Sequence, residues 1–92
     1  MFYVYILKSL KTGRYYKGQT NNLLDRISRH NKGFEKFTSK ELPWKLVWSI
    51  SKESRSEAMK LEKKLKNMKS TQRLELWLQN EILSGRESRK VE

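Results

Sequence analysis

Phe2-Tyr3-Val4-Tyr5-Ile6-Leu7 is β-branched and aromatic, with apolar side chains at consecutive positions. Such a run can pack on both of its sides and predicts a strand buried on two faces of a sheet. Ser9-Leu10-Lys11-Thr12-Gly13-Arg14 follows with turn chemistry, Gly13 being able to take a positive φ. Tyr15-Tyr16-Lys17-Gly18-Gln19-Thr20 is extended again, so residues 2–20 predict a β-hairpin.

Asn21 or Asn22 can cap a helix running from about Leu23 to Asn31, with Leu23, Leu24 and Ile27 as its apolar stripe and Gly33 placed for the C′ position. Phe34 to Pro43 is polar and basic and reads as a loop. Trp44, Leu46, Trp48 and Ile50 then alternate with Lys45, Val47 and Ser49, predicting a half-buried third strand. Ser54-x-x-Glu57 matches a capping box ahead of a helix whose face is Ala58, Leu61, Leu65 and Met68. Ser70 or Thr71 can cap a last helix that buries Leu74, Trp77, Leu78 and Ile82. The order β-β-α-β-α-α predicts an α+β domain over residues 1–83, a small three-stranded antiparallel sheet flanked by helices. Residues 84–92 have almost no apolar content and are expected to be a disordered tail.

The chain is 92 residues long and carries a formal charge of +11. Residues 1–20 hold +4 and residues 52–73 hold +5, whereas residues 74–92 hold −1. So uneven an excess on so small a body attracts polyanions, chiefly nucleic acid. With no cysteine and one histidine, disulfides, Cys-based zinc sites and paired-imidazole sites are excluded. The longest apolar run, Phe2 to Leu7, is far below the ~20 residues that span a bilayer. No secretory signal pattern is evident, so a cytoplasmic location without membrane contact is expected.

A few side chains stand out chemically. Arg26 and His30 lie at i and i+4 on one side of their helix, at the border of its apolar stripe. They fit either an ordinary surface pair or an anion site. Glu62 lies four residues after Ala58 and three before Leu65, at the edge of the apolar face, where a carboxylate needs a base or a metal as partner. The residues alone favour the ion pair. Tyr5 and Tyr16 can meet across the hairpin, and Gly18 removes bulk where a ligand backbone could approach.

These motifs, in order, are Tyr3-Val4-Tyr5, Tyr16-Lys17-Gly18-Gln19-Thr20-Asn21, Leu23-x-x-Arg26-x-x-x-His30-Asn31, Pro43-Trp44 and Glu57-Ala58-x-x-x-Glu62-Lys63. Together they resemble the GIY-YIG endonuclease superfamily, in its short, single-domain bacterial branch, over roughly residues 1 to 83. Tyr3 stands at the first motif's glycine position and Lys17 at the second motif's isoleucine. The resemblance implies a catalytic set of Tyr5, Tyr16, Arg26, His30 and Glu62. Arg26 would contact the scissile phosphate, and Glu62 would bind one divalent metal, Mg²⁺ or else Mn²⁺, reversing the ion-pair preference.

The implied function is metal-dependent hydrolysis of phosphodiester bonds in DNA, with RNA left open, by a monomer or weak dimer whose specificity is weak or supplied by a protein partner. One phenol, Tyr5 or Tyr16, would position or deprotonate the attacking water. Arg14, Lys17, Gly18, Arg29 and Lys36 are the expected nucleic-acid contacts. Two rivals stand beside this reading. One is a binding module that kept the basic face and lost hydrolysis. The other is an adaptor using the last helix, which exposed Trp77 and Leu78 would betray.

Overall fold

A computed structural model describes residues 1–85 of the chain; the tail expectation for residues 86–92 lies outside them. The elements are β1 (Phe2–Ser9), β2 (Tyr15–Thr20), α1 (Leu23–Asn31), β3 (Trp44–Lys52), α2 (Arg55–Lys66) and α3 (Thr71–Leu83). The sheet is antiparallel throughout, in the order β2-β1-β3, so the aromatic first strand is central.

Consecutive residues of β1 feed two separate cores. Val4 and Ile6 face α2 and α3, where they meet Trp48, Ala58, Leu65, Leu74 and Leu78. Tyr5 and Leu7 face α1, where they meet Leu23 and Trp44. All four β1 side chains are fully buried, as an uninterrupted apolar strand requires.

β3 departs from simple alternation. Ile6 pairs with Trp48 but Leu7 pairs with Leu46, which leaves Val47 as the extra residue of a bulge. The bulge switches faces: Trp44 and Leu46 pack on the α1 side, Trp48 and Ile50 on the α2–α3 side. The strand therefore supplies apolar side chains to both cores rather than to one face.

Caps close each helix locally. Asn22 accepts from the Asp25 amide, Ser54 from Glu57 and Ser70 from Arg73. At the end of α1, Gly33 takes φ 78°, and the amides of Gly33 and Phe34 return to the carbonyls of His30 and Arg29. Two expected core residues are not buried. Leu24 is 57% exposed, because it lies about 100° around the helix from Leu23. Ile82 is 42% exposed, in the last turn of α3. Trp77, by contrast, packs edge-on against Trp48 at 5.0 Å and Leu78 is buried, so the pair that would have marked an adaptor belongs to the core. Among the described residues no helix is long and apolar enough to cross a membrane.

Candidate nuclease site

On the α1 side of the sheet, Tyr5 and Tyr16 come from neighbouring strands and His30 from the last turn of α1. Tyr5 is paired with Gly18, and the missing side chain there is what lets the phenol lie down across β2. A Cβ at Gly18 would stand 2.7 Å from Tyr5 Oη and 3.1 Å from Tyr16 Cε2. The space that glycine leaves is thus filled by the two tyrosine rings, not kept for a ligand backbone.

The three rings form a tight group. Tyr5 Oη lies 3.0 Å from His30 Nε2, and the Tyr16 and His30 rings are 4.8 Å apart. His30 is fully buried, and its Nδ1 lies 2.8 Å from Thr38 Oγ1. Thr38 Oγ1 in turn donates to the Glu35 carbonyl at 3.3 Å. One proton arrangement satisfies the whole chain: Nδ1–H donates to Thr38, and the Tyr5 hydroxyl donates to Nε2.

Burial sets the proton affinities here. It holds the Tyr5 hydroxyl well above the ordinary phenol range; the neighbouring Tyr16, Glu35 and Glu62 push the same way and Arg26 opposes them. Burial also lowers the His30 pKa, helped by Arg26 and Arg29 and opposed by Glu35. Tyr5 is consequently a protonated donor and His30 a neutral acceptor near pH 7. Burial thus works against a phenolate at Tyr5. The Tyr16 hydroxyl, on a half-buried residue, has no hydrogen-bond partner among the described residues.

Arg26 and Glu62 are the two charged candidates that remain. Arg26 is half-buried at the rim of α1 and forms no ion pair among the described residues. Glu62 lies on α2, which packs on the opposite face of the sheet from Tyr5 and α1, and its carboxylate pairs with Lys66 at 3.1 Å. Its side chain is 19% exposed. Among the described residues no three His, Asp or Glu side chains cluster as a ligand set. One carboxylate with solvent beside it does suit Mg²⁺, which keeps several waters and commonly takes its other ligands from substrate phosphate. The residues fit a cation that arrives with its substrate better than one held permanently.

The expected nucleic-acid contacts are scattered. Lys17 extends from the other face of β2 toward the end of α2, 3.5 Å from the Met68 carbonyl, and burial and Lys66 lower its pKa. Arg14 sits at the hairpin tip, 3.7 Å from Glu41. Arg29 pairs with Glu35 at 2.9 Å, and Lys36 is exposed in the loop after α1. Thr38 and Glu35 are the neighbours that residue patterns missed. Both lie in that loop, and nothing in its polar composition marks which hydroxyl turns inward.

A family model described as the GIY-YIG catalytic domain matches residues 1–75. The chain belongs to the GIY-YIG family. Its relatives include a UPF0213 protein of Clostridium perfringens, 43% identical over 77 residues that cover 83% of this chain and 82% of that one. A UPF0213 protein of Streptococcus pneumoniae is 36% identical over 80 residues, covering 86% and 80%. A solution NMR structure of a UPF0213 protein from Bacillus halodurans is similar with a TM-score of 0.55 and 34% identity, covering 86% of this chain and 84% of that one. Within the GIY-YIG frame, Tyr3 is accommodated by packing: it is half-buried against the Tyr5, Leu7 and Leu23 core. Lys17 is accommodated by pointing away from the two phenols.

Proposed function

We propose that the protein is a metal-dependent endonuclease that hydrolyses phosphodiester bonds in DNA, with loose or partner-supplied specificity. The observation that carries this reading is the Tyr5–His30–Tyr16 group of a GIY-YIG domain, with the Tyr5 hydroxyl in hydrogen-bond contact with His30 and the Tyr16 ring packed on the imidazole. Arg26, which forms no ion pair among the described residues, is a cation available to a phosphate, and it would stabilise the charge that builds on the oxygens in the transition state. Tyr5, kept protonated, orients His30. Tyr16, whose hydroxyl has no hydrogen-bond partner among the described residues, is the phenol that positions the attacking water. Glu62 would hold a divalent cation, most simply Mg²⁺, whose charge supplies Lewis-acid stabilisation of the phosphate. Arg14, Lys17, Arg29 and Lys36 would add phosphate contacts around this centre.

The test is nicking of plasmid DNA with Mg²⁺ by the wild type and by Arg26→Ala, Glu62→Ala and Tyr16→Phe. Loss of a transition-state donor typically costs ~100- to 1,000-fold in rate, and losses of that order are expected for the first two. Wild-type rates in all three would assign the cleavage to a contaminant or another site. The Glu62–Lys66 ion pair favours a second reading, a binding module that holds nucleic acid without cutting it. That reading expects salt-sensitive binding with no metal-dependent product.

A further inference from the structure

The loop after α1 reads Lys32-Gly33-Phe34-Glu35-Lys36-Phe37-Thr38-Ser39-Lys40, and two large apolar side chains in it face solvent. Phe34 is 65% exposed and Phe37 is 84% exposed. Their backbone is nevertheless firmly tied. The Phe34 amide donates to the Arg29 carbonyl at 3.0 Å, and Arg29 pairs with Glu35. Thr38, the residue after Phe37, is buried against His30, and its carbonyl accepts from Trp44 Nε1 at 2.9 Å. The phenyl groups therefore stand on a fixed support, and Phe37 is one residue from the hydroxyl that orients the histidine of the site.

The chemistry around them selects the ligand. Lys32, Lys36 and Lys40 are exposed between and beside the rings, and the one acid of the stretch, Glu35, is neutralised by Arg29. The matching ligand offers flat apolar faces joined by negative charges. Unpaired nucleobases on a phosphate backbone do so, whereas a duplex hides its base faces in the stack. We propose that Phe34 and Phe37 form a stacking platform for unpaired bases beside the Tyr5–His30 group, directing the site to single-stranded stretches such as flaps, gaps or loops. The proposal rests on the nucleic-acid reading above and adds the structure of the substrate to it.

The experiment measures fluorescence anisotropy of the full chain, in EDTA and at constant salt, with a fluorescein-labelled mixed-sequence single strand and with its perfect duplex. The double variant Phe34→Ala/Phe37→Ala is expected to bind the single strand about 5- to 150-fold more weakly per stacked base lost. Duplex affinity should stay within about twofold, because the lysines are untouched. Phe37→Trp should bind the single strand as tightly as the wild type does, where Phe37→Ala is weakened. Unchanged single-strand affinity in the double variant overturns the proposal, as does an equal loss on both probes. A double variant that sediments as monomer where the wild type is a dimer, with oligonucleotide binding intact, also overturns it and makes the surface an interface between copies. The nuclease reading is judged separately: if wild-type protein discriminates strands through these rings but never nicks, catalysis falls and the platform stands.

Discussion

His30 is the chain's one histidine, and its burial makes stability depend on pH in a defined window. Its folded pKa is lowered, so between that value and the ordinary ~6.5 the unfolded chain binds the proton more readily. The stabilisation is complete above about pH 6.5 and is lost as pH falls through the folded pKa. Thermal melts should therefore shift down between pH 7.5 and 5, and His30→Gln should flatten that slope. Glu35, whose pKa is lowered chiefly by its hydrogen bond from Arg29, acts in a separate window below the ordinary carboxylate range. Gly18 supplies the second prediction at this scale. Gly18→Ala puts a methyl into the Tyr5 ring, which is buried and hydrogen-bonded and has nowhere to turn. Overpacking of this kind costs about 1–3 kcal/mol, and urea denaturation should show a loss of that size together with slower nicking.

Among the elements, the loop between α1 and β3 is organised by one amide. Asn31 Nδ2 donates to the Trp44 carbonyl at 3.1 Å, while the Trp44 amide donates to Asn31 Oδ1 at 2.7 Å. The reciprocal pair joins the end of α1 to the start of β3 and so places Trp44, whose indole holds Thr38 beneath His30. Asn31→Ala strands both backbone groups and should destabilise by about 1–3 kcal/mol in urea titrations. It should also move the His30 ring resonances, since the Thr38 contact is lost upstream. The loop's other side is fastened to the hairpin tip: Ser9 Oγ donates to the Glu41 carbonyl at 2.7 Å and Thr12 Oγ1 to the Glu41 carboxylate at 2.7 Å. A segment legible only as polar and basic is thus the support for one whole side of the site.

Over the whole molecule, the charge of +11 governs any encounter with nucleic acid. Neutralising three or four phosphates gives a salt slope near −0.9 per contact, so affinity for duplex DNA should fall roughly 40- to 150-fold between 50 and 200 mM salt. Filter binding or anisotropy across that range checks it, and a flat response would remove the electrostatic case for a polyanionic partner. At this scale the division between local and long-range information is clear. Strand, helix and cap positions follow from residues a few places apart: the apolar run of β1, the Asn22, Ser54 and Ser70 caps and the Gly33 stop are all written locally. For that reason element order, the α+β class and the approach of Tyr5 to Tyr16 across the hairpin were readable from the amino acids. The bulge at Val47 and the Thr38–His30–Tyr5 hydrogen-bond chain were not. Each depends on which segment lies against which, and burial of a group is a property of the packed neighbours rather than of the side chain itself. The same packing disfavours the ionised form of Tyr5, because desolvation in the core outweighs the opposing pull of Arg26.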